Sequence, residues 1–170
     1  MNEELSKRIQ ILTTEVNNLK NGLFIVDHFH TGFDASRIEY NNIANKRVFI
    51  SHTLYGTSGA TAANYGVFFI SPFACTIRGF KEVHQTAGTD GSAVTLMLEK
   101  LTGTEAPGSG VDVLSTALSL KATANTVQDG TITATIANKN LAIGERLCLE
   151  DTGTLTSVAN VTVMVELQII

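Results

Sequence analysis

The chain opens on an apolar residue at every third or fourth position. Leu5, Ile9, Leu12, Val16, Leu19, Leu23 and Val26 follow one another at intervals of 4, 3, 4, 3, 4 and 3 residues. That spacing lays a narrow apolar seam along one side of a helix and predicts a left-handed coiled coil. With Ile9, Val16 and Leu23 at a positions, Leu5, Leu12, Leu19 and Val26 take the d positions. Glu15 then falls at g and Lys20 at the following e, positions that pair between neighbouring chains in a parallel coil. A helix over residues 3–26 would be a rod of roughly 35 Å. It cannot hide its own seam, so the pattern predicts self-association. The competing arrangement, a helix packed on its own domain, usually needs a wider apolar stripe than this one. Asn17, Asn18, Asn21 and Gly22 weaken the last turns. Ile at a with Leu at d favours two strands, while Leu23 and Val26 pull towards higher numbers, so these rules leave copy number open.

Residues 27–47 read as a connector. Asp27-His28-Phe29-His30 suggests a short strand, Asp34-Ala35-Ser36-Arg37 a turn, and Tyr40 to Asn45 is too polar to form core. From Arg47 the period becomes two. Val48-Phe49-Ile50 starts a strand, Thr57 to Thr61 is a loop, and Val67-Phe68-Phe69-Ile70 is an apolar run closed by Pro72. Thr76–Thr86 reads as a long strand ending at Ala87-Gly88-Thr89-Asp90-Gly91. Val94, Leu96 and Leu98 alternate with Thr95, Met97 and Glu99. Thr102–Gly110 is a loop, and Leu114, Leu118 and Leu120 mark a further strand. Ile132, Ala134 and Ile136 alternate with threonines. Leu147 and Leu149 face away from Arg146 and Glu150. Val161, Val163, Val165 and Leu167 face away from Thr162, Met164, Glu166 and Gln168. Seven or eight short strands with regular turn signals predict an antiparallel β-sandwich, jelly-roll-like, each strand burying one face. The organisation expected is therefore a coiled-coil oligomerisation helix at 1–26, a connector at 27–47 and a β-sandwich domain at 48–170.

Composition narrows the function classes. The 170 residues carry a formal net charge of −4, and only 16% are charged. The basic residues are scattered, which argues against a phosphate-backbone binder and so against nucleic acid as a partner. The polar opening MNEELSKR lacks the form of a secretory signal, and no run of 18 apolar residues suggests a membrane span. Synthesis in a cytoplasm is the expectation. In that compartment Cys75 and Cys148, far apart and without a CxxC pair, are expected as free buried thiols rather than a disulfide. Asn160-Val161-Thr162 fits a glycosylation acceptor but is expected to be idle.

Candidate chemistry is sparse. His28 and His30, two apart on a strand, would project to one side. Three such pairs on an axis could surround a metal, but two histidines specify none, and two ordinary polar connector residues are the preferred reading. His52 and His84 have no triad partners in sequence, and Lys81-Glu82 reads as a solvated face. Asp90 and Asp112 lie near Gly-rich loops without the repeated acidic ligands of a calcium loop. Gly88 to Gly91 is followed by a strand pattern, not by the helix a phosphate cradle requires. No nucleophile-elbow, P-loop or zincin motif is present. No catalytic residue, metal site or cofactor is predicted, and the expectation is a non-enzymatic protein.

Several stretches carry a resemblance: Ala63 to Phe69, Glu82-Val83-His84-Gln85-Thr86-Ala87-Gly88-Thr89-Asp90-Gly91-Ser92-Ala93-Val94-Thr95-Leu96, Glu99 to Thr104, Leu118 to Gly130, and Leu149 to Thr156. On these the chain resembles virion proteins of tailed bacteriophages: head fibres, capsid decoration proteins and fibre modules. The resemblance implies a homotrimeric β module on a virion, joined to a stalk or anchor by a coiled coil and assembled in the host cytoplasm; it does not by itself assign head or tail. It brings no catalytic residues. The expected location is the capsid surface of the virion, with self and the phage major capsid protein as partners and no membrane. Attachment to the capsid with the β domain outward is the first expectation. A tail-fibre or receptor-binding module for host surface glycans is the alternative, and a glycan-cleaving spike ranks third.

Overall fold

The computed structural model describes residues 2–21, 46–56 and 65–170. Two units are distinct, residues 1–44 and residues 45–170. In the first, helix α1 spans Asn2–Asn21. Its Thr13 and Thr14 hydroxyls donate to the carbonyls of Ile9 and Gln10, and Glu4 lies one turn before Arg8, 4.0 Å away.

The second unit is mainly β. Its strands are β1 (Arg47–Leu54), β2 (Val67–Ile70), β3 (Cys75–Thr86), β4 (Thr95–Leu101), β5 (Val111–Asp112), β6 (Leu118–Ser119), β7 (Gln128–Gly130), β8 (Asn140–Leu141), β9 (Arg146–Thr152) and β10 (Ala159–Ile169), with a one-turn helix α2 at Ile136–Lys139. All pairings are antiparallel. One sheet has the order β1-β10-β3-β7, with β8 continuing the β7 edge along β3; the other has β2-β9-β4-β5, with β6 continuing the β5 edge along β4. The chain alternates between the sheets, β1 in one and β2 in the other, β9 in the second and β10 back in the first. That is the course of a jelly roll.

Alternation drives the packing. On β10, Val161, Val163, Val165 and Leu167 are fully buried while Thr162, Met164, Glu166 and Gln168 are half-buried. Leu96, Leu98, Leu147 and Leu149 close the core from the other sheet, with Leu54, Ile77, Phe80, Leu114 and Leu120 between. The inward phase of β3 is not constant. Glu166 pairs with Gly79 and Leu167 with Ile77, so Arg78 is an extra residue and forms a bulge. Cys75 and Ile77 face inward before the bulge; Phe80, Glu82 and His84 face inward after it.

Two expected strands are corrected. The segment around Leu114–Leu120 is not one strand. β5 and β6 lie on the same edge of β4, and between them the chain swerves to the other sheet, where Leu114 bridges Ile132. Ser115 N donates to Thr131 O and Thr133 N to Val113 O, both at 2.8 Å, so the two sheets are joined along this margin. The Thr131–Ile136 alternation is likewise broken: after Ile132 the chain reaches α2, and Ile136 is 67% exposed. Local period two could not register that the chain changes sheets.

Candidate functional site

Two features of the molecule stand out chemically: the seam of α1 and the end of the sandwich where the β3–β4, β6–β7 and β9–β10 connections gather. Leu5, Ile9 and Leu12 are 60%, 56% and 60% exposed, and Ile11, off the heptad positions, is 58% exposed. Val16 and Leu19 lie within α1, their side chains outside the described set; Leu23, Val26, His28 and His30 lie outside the described residues, as does the Thr57–Thr61 loop.

The loop-bearing end is held by a buried polar network. Glu82 and His84 are almost wholly buried. His84 Nδ1 is 2.9 Å from Glu82 Oε1, and its Nε2 donates to Ala122 O at 3.0 Å. The other carboxylate oxygen of Glu82 accepts from Gln128 Nε2 at 2.6 Å, and the same amide nitrogen reaches Ser119 O at 2.9 Å. The His84 carbonyl accepts from Asn125 N at 2.8 Å. A carbonyl oxygen only accepts, so Nε2 is the donor to Ala122 O. Every polar atom of the pair then has a partner, the condition for burying such groups without a large penalty. The expected solvated Glu82 is thus corrected: the bulge at Arg78 shifts the phase of β3 and turns Glu82 into the interior, leaving Lys81 outside with Asp129 as ion-pair partner. Tyr65 stands near this cluster, and burial, with Asp151 and Glu82 nearby, pushes its phenol well above its ordinary range.

The loops themselves are cross-tied. Gly88 N donates to Leu120 O and Thr89 N to Thr156 O, and the hydroxyls of Thr89 and Ser157 are 3.0 Å apart. Lys121 Nζ donates to the carbonyls of Asp90 and Ser92 at 2.7 and 3.1 Å. Gly153 holds φ +93°, and a side chain there would run into the Ala93 carbonyl. Asp90 caps its own turn by accepting from Gly91 N at 2.9 Å.

At the opposite end, buried Glu99 secures the Thr102–Gly110 loop. Its two oxygens accept from Gly108 N at 2.8 Å and Gly110 N at 2.5 Å. Glu105 accepts from the Thr102 backbone and hydroxyl, which hold its carboxyl below the usual range. Burial and Glu99 push the Cys148 thiol up to about 12. Burial, then Glu99, Asp112 and Asp151, raise the Glu150 carboxyl. Lys100, nearly buried, donates to Ala137 O and Asn140 O and lies 3.7 Å from Glu145. Cys75 and Cys148 are free and buried. His52 stacks on Phe68, centroids 5.4 Å apart, tying β1 to β2.

Among the described residues no group of three or more His, Cys, Asp or Glu side chains is arranged to hold a metal ion, and no helix is long and apolar enough to cross a membrane. Sequence reasoning missed the Glu82–His84–Gln128 network. The signal available was the shared parity of Glu82, His84 and Phe80. No family model, curated protein or solved structure matches the chain. What the fold and site define is a jelly-roll-like β-sandwich with a rigidly tied loop end and a separate helix bearing a heptad seam.

Proposed function

We propose that this chain is a non-enzymatic structural protein of a tailed-phage virion, a homotrimeric head fibre or decoration protein that attaches to the capsid and displays its β domain outward. The observation that carries the reading is the exposed heptad seam of Leu5, Ile9 and Leu12 ahead of a β-sandwich. Side chains of that kind are covered when parallel copies wind together, and the coil then fixes both copy number and alignment. The resemblance of the β region to phage virion proteins favours three copies. A β-sandwich whose internal polar groups are spent on bracing loops suits display rather than turnover. Repetition on a particle strengthens weak contacts made by those loops.

The test uses particles of the parent phage assembled without this protein. The full chain should decorate their heads, and a chain beginning at Asn45 should fold but fail to do so. Equal decoration by the shortened chain would remove the helix as anchor. Tail labelling by the full chain would replace the capsid reading with a tail-fibre one.

A further inference from the structure

We propose that the outer face of the β1-β10-β3 sheet, at its loop-bearing margin, binds a neutral glycan chain, with Tyr55 as stacking platform and Asn160 and Gln85 as the hydrogen-bonding edge. The register puts the three together. Leu54 lies opposite Val161, and Val161 opposite His84, all buried. Asn160 and Gln85, the neighbouring positions, bond to each other, and Gly56 N bonds to Asn160 Oδ1, which brings Tyr55, just past β1, beside them in a row. Tyr55 is 79% exposed. An aromatic ring open to solvent offers a flat apolar surface with a polar tip, which suits the C–H face of a sugar ring.

The amides beside it are held in one orientation. Asn160 Nδ2 donates to Gln85 Oε1, and Asn160 Oδ1 accepts from Gly56 N at 3.2 Å. Asn160 adopts φ 50°, a conformation asparagine tolerates better than most residues. With those bonds made, Gln85 Nε2 retains its donors and Asn160 Oδ1 a second lone pair. One row further, the hydroxyls of Thr53 and Thr162 are 3.1 Å apart. The two rows thus present amides and hydroxyls, which both donate and accept, as sugar hydroxyls do, with Val83 at the β3 end of the second row. Neither row holds a charged side chain; the nearest charges on this face, Lys81 and Asp129, are paired with each other. That selects a neutral polyol over an anionic polymer. Adjacent strands are ~4.8 Å apart, so the row spans roughly 10 Å, room for two linked sugar rings.

A second feature falls at the same margin. Among the described residues, the non-glycine ones with positive φ are Asn125, Ser157 and Asn160, and all three lie at this end. Backbone strain gathered at one margin of a regular fold, and held by the cross-ties behind it, is what a preformed binding surface requires. The inference needs only that this end faces outward, as the display reading holds.

The test is titration of the full-length, 15N-labelled protein with maltohexaose, cellohexaose and chitohexaose, with a heparin hexasaccharide as anionic counterpart. The expected result is saturable shifts of the Gln85 and Asn160 side-chain amides with at least one neutral oligomer at millimolar concentration, and none with heparin. Tyr55→Ala should weaken that binding about tenfold while Tyr55→Phe keeps it, both with unchanged melting temperature, since the loss is of stacking area on an exposed residue. Gln85→Ala should weaken it as well. The inference is overturned if no neutral oligomer gives saturable shifts up to about 10 mM, a concentration well above a millimolar dissociation constant. It is equally overturned if Tyr55→Ala binds as the parent does, or if heparin competes. Head decoration without glycan binding would remove this inference and leave the display reading standing.

Discussion

His84 and Glu82, two residues apart on β3, face the sandwich interior together, with Nδ1 2.9 Å from Oε1 and a carbonyl of the β6–β7 loop on the far side of the ring. A single charged group left alone at such a depth is expensive. His84→Leu should therefore destabilise the domain by about 3–5 kcal/mol, because it strands the Glu82 carboxyl. Replacing both residues with leucine should cost markedly less than the sum of the single changes. Urea denaturation of the three variants measures this, and additive losses would contradict the pairing.

On β10 the two faces can be compared directly. Val163 is fully buried, whereas Thr162 lies outward against Thr53. Val163→Asp should prevent folding or lower stability by more than about 4 kcal/mol, while Thr162→Asp should cost about 1 kcal/mol. Thermal melts of the two proteins should be far apart; coincident melts would reverse the assigned face.

The α1 seam predicts a change in mass. Leu5→Asp with Ile9→Asp places charges at adjacent d and a positions, and these should break a coil whose stability rests on that stripe. Light scattering should show the parent chain as a trimer and the variant as a smaller or concentration-dependent species. A parent chain that is monomeric at micromolar concentration would remove the coiled coil from the account.

Cys148 should be silent to thiol reagents in the folded protein. Its thiol is buried, and with its titration pushed up to about 12 it stays protonated through the ordinary range, where the thiolate is the reactive form. Labelling should appear only as the domain unfolds. The linkage has a definite sign. Above the unfolded value of about 9 the unfolded chain loses this proton and the folded chain keeps it, so stability falls as pH rises from about 9 towards 12. Cys148→Ala should flatten that decline in a pH series of denaturation curves.

Much of the β domain was legible because a strand buried on one face writes its orientation into every second residue. β10, β4 and β9 were readable on those terms, down to the inward valines and leucines. Cys75 and Cys148 are free and buried, as their wide spacing without a CxxC pair led one to expect. The heptad spacing and the helix over Asn2–Asn21 were equally plain, since a helix with one apolar seam repeats its apolar residues at its own period.

Tertiary structure decided what depends on where the chain goes next. The bulge at Arg78 inverts the parity of β3, so Glu82, outward by local reading, joins His84 inside and becomes the brace of a loop. Leu114 and Ile132 leave their own edges to join the two sheets, which breaks two strands that alternation alone would have continued. Tyr55, Asn160 and Gln85 are far apart along the chain, and only the pairing of β1, β10 and β3 sets them in one row. Periodicity reports which face a residue takes relative to its near neighbours; a bulge, a swerve between sheets or a row across strands is fixed by contacts at long sequence separation, and no local pattern carries those.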